Sequence, residues 1–100
     1  MEKAVNKKTS KGSTKHSMVT GKNYFIRTVT HYYTGKLTKI TDADIVLSKA
    51  TWIADTGRFN DMLKTGMFND VEPFVSDVIV NRSCIIDMTE IHFKLPDTQK

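Results

Sequence analysis

The sequence contains few of the residues that cross-link small domains or bind metal ions. Cys84 is the only cysteine, so the chain cannot form an intrachain disulfide. It lies in the apolar run Cys84–Ile86, where we expect a small buried side chain and not a reactive thiol. His16, His31 and His92 are too far apart to form a ligand pair on one helical turn or in one hairpin. We therefore expect no metal and no cofactor.

The sequence also lacks the motifs of common catalytic sites. Its five glycines are isolated, and none of them begins a helix after a strand together with a P-loop lysine. No local pattern pairs a serine or cysteine nucleophile with a base. The N-terminal segment is polar and lysine-rich, without the apolar stretch of a signal peptide or a membrane span. We expect a protein of cytosolic origin that binds or assembles, has no membrane contact and is not an enzyme.

The positive charge of the chain is concentrated near its N-terminus. Residues 1–23 carry six lysines against Glu2, a net charge of +5, whereas residues 24–100 carry nine Lys and Arg against ten acidic residues. The few apolar residues of 1–23 follow no helical or strand period, so burial cannot offset the entropy of ordering this segment. We predict a flexible basic arm that contacts a partner through its lysines, which are Lys3, Lys7, Lys8, Lys11, Lys15 and Lys22.

A small β domain is predicted over residues 24–93. Aromatic and β-branched residues are dense from 24 to 34, which predicts one long strand. Gly35 indicates a bend, and residues 36–41 continue as a second strand. After a short turn, a third strand is predicted to begin at Ile45 and to run on towards Ile53. These three strands are expected to form an antiparallel meander.

A short helix is predicted after the third strand, over residues 58–64. Asp55 or Thr56 is expected to cap its N-terminus, and Gly66 suits its C-terminal end. A lysine in the last turn favours the helix dipole. The apolar residues of this segment are three and four positions apart, which places them on one helical face: Phe59, Met62 and Leu63.

The rest of the sequence predicts a closing hairpin and a tail. Residues 67–74 are expected to be irregular, because Pro73 excludes a central strand. Residues 78–80 and 83–91 are typical of a β-hairpin, and residues 94–100 of a polar C-terminal tail. The predicted fold class is mostly β: a small SH3-like or Sm-like antiparallel barrel of about five strands, with one short inserted helix and an extended N-terminal arm.

The Asp-Thr-Gly triplet at residues 55–57 is the one that retroviral-type aspartic proteases use, in homodimers of short chains. In those enzymes two carboxylates share a proton. Here Arg58 follows the glycine, and a cation at that position would keep the carboxylate ionised. The apolar-apolar-glycine element expected downstream is missing, since Ile85–Ile86 is followed by Asp87. A structural role at the start of the helix is therefore favoured over catalysis.

Five aromatic residues are candidates for a binding surface. Tyr24, Phe25, Tyr32 and Tyr33 share the first predicted strand, and Trp52 lies in the third. Exposed rings can form a platform on which nucleic-acid bases or nucleotides stack. The same residue types also fill the core of a small β domain and pair across strands. Exposure decides between the two interpretations, and both stay open at this point.

Three segments resemble one protein family: Arg27–Gly35, Trp52–Phe59 with the string Trp-Ile-Ala-Asp-Thr-Gly-Arg-Phe, and Val71–Phe74. The family consists of short proteins common in tailed-phage genomes, and the similarity spans residues 24–100. It has no assigned activity, so the resemblance implies a phage context without a mechanism. A weaker similarity, in strand order and in the segment Val78–Ile86, is to Sm-like RNA-binding barrels and concerns the fold.

The arm and the phage resemblance together predict a bacteriophage structural or auxiliary virion protein, assembled in the cytoplasm of the bacterial host. The barrel is expected to dock on capsid proteins and to self-associate, while the arm follows a neighbouring subunit. The alternative is an oligomeric Sm-like barrel that binds RNA or a nucleotide signal through Tyr32, Tyr33, Trp52 and Arg58.

Overall fold

The computed structural model describes residues 17–100. Within this part of the chain, six antiparallel strands form one open sheet, and one short helix follows the third strand. In chain order the elements are β1 (Asn23–Thr28), β2 (Tyr32–Ile40), β3 (Asp44–Asp55), α1 (Phe59–Thr65), β4 (Asp70–Pro73), β5 (Val78–Asn81) and β6 (Ile85–Glu90). Outside the described residues lie Lys3, Lys7, Lys8, Lys11, Lys15 and His16.

The mostly β class is confirmed, but the sheet is not the closed barrel that the sequence predicts. The strand order is β4–β3–β2–β1–β6, and β5 also pairs with β3. Because β3 is twelve residues long, β5 occupies one half of its outer edge and β4 occupies the other half. β6 pairs with β1 at the opposite end of the sheet. The sheet therefore has two separate edges, one formed by β4 and β5 and one by β6.

The meander of the first three strands is confirmed, but its first turn is not where the sequence predicts it. Residues 24–34 are not one strand, because the chain reverses between Thr28 and Tyr32. The Thr28 hydroxyl closes this turn: it donates to the His31 carbonyl at 2.7 Å and accepts from the His31 amide at 2.9 Å. Gly35 is not a bend, and β2 continues through it. A Cβ at this position would lie 3.0 Å from the Leu47 Cβ, so glycine permits close approach of β3.

The predicted closing hairpin is wrong, and one predicted loop contains a strand. β5 pairs with β3 and β6 pairs with β1, so the two do not pair with each other. A 3-10 turn over Arg82–Cys84 joins them, and the Asn81 side chain accepts a hydrogen bond from the Ser83 amide at its start. β4 lies in the segment 67–74 that was expected to be irregular. Its edge position tolerates Pro73, the last residue of the strand.

The helix is confirmed one residue further along the chain than predicted, but its predicted cap is wrong. Its N-cap residue is Arg58, whose side chain makes no capping hydrogen bond. Asp55 is the last residue of β3, too far from the helix to cap it, and its carboxylate accepts from the Gly57 amide at 2.8 Å. Thr56 donates to the Gly57 carbonyl. Gly66 ends the helix as expected, in the left-handed conformation that favours glycine.

Both faces of the sheet are covered, which explains why three consecutive residues of β1 are buried. Side chains alternate between the faces of a strand, so Tyr24 and Ile26 lie on one face and Phe25 on the other. The first face carries a core cluster of Tyr24, Ile26, Leu37, Ile45, Leu47, Ala50 and Val80. The second is covered by α1 and the C-terminal segment, with a cluster of Phe25, Ile53, Met62, Phe68, Val71 and Ile91.

The described ends of the chain pack against the sheet. Met18 contacts the first cluster, and the Gly21 amide donates to the Leu37 carbonyl at 2.7 Å, so residues 17–22 belong to the folded body. At the other end, Leu95 contacts the second cluster, and Lys100 exchanges two backbone hydrogen bonds with Val71, each of 3.0 Å. The segment 94–100 is therefore a packed extension of the domain. Half-buried Cys84 also packs against the first cluster.

Met62 packs the helix against the second face of the sheet, and Met67 is a matched control in the same chain. Met62 is completely buried, whereas Met67 is 66% exposed just after the helix. We expect Met62→Ala to lower the free energy of unfolding by about 2–5 kcal/mol, because it leaves a cavity. Met67→Ala should change it by less than about 0.5 kcal/mol. Urea denaturation measures both, and equal effects would contradict this assignment of the core.

Candidate functional site

Four aromatic rings form a connected surface on the first face of the sheet. Tyr33 on β2 lies directly across from Trp52 on β3. The His31 ring centroid is 6.0 Å from that of Trp52 and 6.2 Å from that of Tyr33, and Phe74 is 6.1 Å from Tyr33. Tyr33 and Trp52 are half-buried, while His31 and Phe74 are exposed. We call these four residues the aromatic row.

The ligand-binding residues predicted from the sequence do not all converge. Tyr33 and Trp52 are together in the aromatic row, but Tyr32 follows the opposite face, where its ring is 5.7 Å from that of Phe25. Arg58 is at the start of α1, and its Nε is 4.0 Å from the Asp61 carboxylate. Tyr32 and Tyr33 therefore lie on opposite faces of the sheet, and Arg58 is not part of either group of rings.

Sequence reasoning missed the two exposed members of the aromatic row. His31 is two positions before Tyr33, the spacing that places two residues on one face of a strand. The sequence carried this signal, but the predicted platform was drawn from Tyr, Phe and Trp residues, which left the histidine ring out. Phe74 follows Pro73 at the end of β4. Phe74 lies beside Tyr33 because β4 pairs with β3, and no local sequence pattern predicts that pairing.

A cavity of about 480 Å³ adjoins the row at the turn between β1 and β2, where Arg27, Tyr32 and Trp52 contribute to its lining. Arg27 forms a two-fold hydrogen-bonded ion pair with Asp87 across β1 and β6, with Nε to Oδ1 at 2.8 Å. The hydrogen bond from Arg27 lowers the pKa of the Asp87 carboxyl. The pair therefore contributes above the ordinary carboxyl pKa, and its contribution is lost as falling pH protonates Asp87. Both side chains are exposed, so the contribution is small.

A second cavity, of about 520 Å³, lies between β3 and the C-terminal segment. Three lysines line it, Lys36, Lys49 and Lys94, against the single carboxylate of Asp97, which gives a local net charge of +2. Lys94 pairs with Asp97 at 3.3 Å, while Lys36 and Lys49 form no ion pair with any of residues 17–100. The rest of the wall is partly apolar, with Pro73, Phe74, Leu95 and Pro96. We call this cavity the lysine cleft.

Lys49 has an unusual backbone conformation. Its φ is 51°, the one positive value at a non-glycine position in the described part of the chain. Thr34 pairs with Thr51 and Lys36 pairs with Ser48, so Lys49 and Ala50 together face one residue of β2. This is a β-bulge. A left-handed conformation costs an L-residue roughly 1–2 kcal/mol, and glycine is the usual occupant.

Asp55 of the Asp-Thr-Gly triplet and His92 interact with neighbouring residues of the fold. The exposed Asp55 carboxylate accepts from the Gly57 amide and lies 3.5 Å from the Asn69 amide nitrogen, which fixes the turn before α1. His92 is exposed, with Nδ1 3.8 Å from the Glu90 carboxylate. From residue 17 onward, no group of three or more His, Cys, Asp or Glu side chains is placed to hold a metal ion. No helix in that part is long and apolar enough to cross a membrane.

The two edges of the sheet differ in how they are covered. The β4 edge is closed by the backbone hydrogen bonds between Val71 and Lys100. β5 and β6 have no such cover from the described residues, and each exposes an isoleucine, Ile79 at 69% and Ile86 at 62%. Val29 and Val75 add exposed apolar surface at the neighbouring turns. Unpaired strand edges with apolar side chains are sites at which another chain can bind.

Comparisons of the chain with protein-family models, with curated proteins and with solved structures find no match. Functional interpretation consequently depends on the surfaces described above. The resemblance to short tailed-phage proteins stays a prediction from the sequence.

The conformation of Lys49 can be tested through protein stability. Lys49→Gly should leave the free energy of unfolding unchanged or raise it by up to about 1 kcal/mol, because glycine adopts a positive φ without strain. Lys49→Val should lower it by about 1–2 kcal/mol, because a branched Cβ is disfavoured there. Thermal and urea unfolding of both variants measures the difference. A less stable glycine variant would contradict the bulge geometry.

Proposed function

We propose that this chain is a bacteriophage structural or auxiliary virion protein that docks on the capsid through the edges of its sheet and through its basic N-terminal arm. The observation that carries the proposal is the apolar surface on the two open edge strands. Ile79 on β5 and Ile86 on β6 are both largely exposed, next to backbone groups that no described residue pairs. Such surface is costly to leave in water and favours a partner.

The strand order supports a finer fold type. Read along the sheet, β6–β1–β2–β3–β5 is a five-strand path, and the last two strands in the sequence are joined by the 3-10 turn Arg82–Cys84. This order is the basis for proposing an SH3-like or Sm-like sheet that is left open, with β4 and α1 as additions. In the proposal the fold presents edges and loops, and the chemistry of binding comes from the side chains on them.

Self-association is part of the proposal. β5 and β6 lie at opposite ends of the sheet, so β5 of one copy can pair with β6 of the next copy. A contact between two different surfaces repeats, and it generates a closed ring or a row of subunits. Either arrangement suits a protein that decorates a symmetric particle.

The basic arm would add electrostatic attachment. Its six lysines give residues 1–23 a net charge of +5, while the rest of the chain is close to neutral. Lys22 is the one arm lysine among the described residues, and its Nζ is 3.3 Å from the Glu90 carboxylate on β6. In the proposal the remaining arm lysines contact acidic groups of a neighbouring subunit, an attraction that salt weakens.

The proposal predicts that the protein is found in purified virions. Mass spectrometry of particles grown from the phage that encodes it should detect the chain at a fixed ratio to the capsid protein. Ile79→Lys and Ile86→Lys should each reduce incorporation strongly, because a charge replaces apolar contact on an edge strand.

A matched control is Met67→Lys, since Met67 is as exposed as the two isoleucines but lies outside the strands. It should be incorporated normally. Native mass spectrometry of the isolated protein reports whether the edge variants also lose self-association. Absence of the wild-type chain from particles would refute the virion role.

A second candidate function is an oligomeric protein with an open Sm-like sheet that binds RNA or a nucleotide signal, and the aromatic row favours it. Four rings connected by three ring–ring contacts, two of them exposed rings, offer flat apolar surface to stacked bases. Stacking of a base on such a ring is worth about 1–3 kcal/mol and depends little on sequence. In this role Tyr33 and Trp52 are the supporting rings, and His31 and Phe74 are the contact rings.

For this candidate we predict that His31→Ala and Trp52→Leu weaken binding of a short single-stranded RNA about 10-fold each. Phe59→Ala is the control, because exposed Phe59 lies on the opposite face against Phe25 and outside the cavity that Tyr32 and Trp52 line. Fluorescence anisotropy with a labelled oligonucleotide measures the affinities. The stacking role fails if Phe59→Ala weakens binding as much as the row variants do.

A further inference from the structure

We propose that the lysine cleft binds a small ligand with a phosphate group next to a flat ring, the chemistry of a nucleoside monophosphate. Lys36, Lys49 and Lys94 line one cavity, and Asp97 is the single acid in its wall. This local charge of +2 stands out because residues 24–100 carry one more acid than base overall. Lysine ammonium groups recognise phosphate oxygens through charge-assisted hydrogen bonds.

The backbone conformation of Lys49 is an independent argument. A left-handed residue in a strand is usually glycine, and strained positions of this kind cluster at sites of function. The bulge gives no packing reason for lysine, since the side chain is exposed and Ala50 supplies the buried contact. What lysine adds at this position is an ammonium group on a residue that lines the cleft.

The cleft has the size and the walls for a nucleotide. Its volume of about 520 Å³ falls in the range of small-molecule sites. Phe74, a residue that is 42% exposed, lines it together with Leu95 and Pro96 of the C-terminal segment. The lysines are thus placed to bind the phosphate, and the Phe74 ring offers a surface for the base.

The wall of the cleft is held in place without a ligand. The buried Thr51 hydroxyl donates to the Pro96 carbonyl at 3.1 Å, which ties the C-terminal segment to β3. Lys100 is tied to Val71 on β4 by two backbone hydrogen bonds, and the Gln99 side chain donates to Glu72 at 2.9 Å. A preformed site loses less entropy when it binds.

The charge distribution favours a small ligand over a polymer. A surface that binds a nucleic-acid strand carries basic groups along an extended path, whereas here the described positive charge is local and the domain around it is slightly acidic. The cleft is also separate from β5 and β6, so this site is independent of the virion role. It extends the second candidate function, because Phe74 belongs to both the aromatic row and the cleft, and the lysines add a binding site for the phosphate.

The test is isothermal titration calorimetry of the full chain with adenosine and uridine monophosphates, inorganic phosphate and a 5′-phosphorylated oligonucleotide. We expect a monophosphate to bind, and Lys49→Gly and Lys36→Gln to weaken it about 10-fold each. Lys49→Gly is the decisive variant, because it removes the ammonium group from a position where glycine is unstrained. Lys39→Gln is the control, since exposed Lys39 lies on β2 outside the cleft.

Two further comparisons separate the components of the site. Phe74→Ala should weaken binding of the monophosphate but leave binding of inorganic phosphate unchanged. Trp52→Leu should leave the binding of both unchanged. The two variants therefore distinguish a failure of the aromatic row from a failure of the lysine cleft. Tighter binding of the oligonucleotide than of the monophosphate would identify a strand end as the source of the phosphate. The proposal is overturned by an absence of binding at millimolar monophosphate, or by an equal loss in the Lys39→Gln control.

Discussion

The structure depends on the pairing of β3, a twelve-residue strand that contacts three others. It pairs with β2 over most of its length, with β5 through Asp44–Leu47 and with β4 through Thr51–Asp55. A regular strand would place Leu47 and Ala50 on opposite faces, because they are three positions apart. The bulge at Lys49 adds one residue, so that Leu47 and Ala50 both enter the first cluster while Ile53 enters the second. The bulge thus allows β3 to contribute side chains to both core clusters.

The parts of the fold that the sequence predicts are those with a local cause. The helix follows from apolar residues at a helical spacing and from Gly66 at its end, and both are found within one residue of the predicted positions. The first turn was missed because Tyr24–Thr34 is made of strand-forming residues throughout, and its turn is closed by the side chain of Thr28. Burial of both faces of β1 also removes the alternation that would have marked its limits.

The remaining errors concern pairing between distant segments. The strands β5 and β6 read as a hairpin because they are adjacent in sequence, but their partners, β3 and β1, lie far away along the chain. The same limit applies to the candidate sites. Tyr33 and Trp52 were identified by residue type, whereas the lysine cleft is assembled from β2, β3 and the C-terminal segment. Three lysines so far apart in sequence carry no common signal until the bulge and the tail are in place.

The sheet places its edge strands and the lysine cleft in different parts of one domain. The edge strands lie at the two ends of the sheet, and the lysine cleft lies where the middle of β3 meets the C-terminal segment. Ile86→Lys on β6 can change assembly without touching the cleft, because Ile86 does not line it. The bulge is the exception. Lys49 lies in the bulge where β2 and β3 pair, so a ligand of the lysine cleft that binds only the folded chain would also raise the free energy of unfolding. Binding in the cleft would therefore strengthen the scaffold that presents the edges, without a change in the edges themselves.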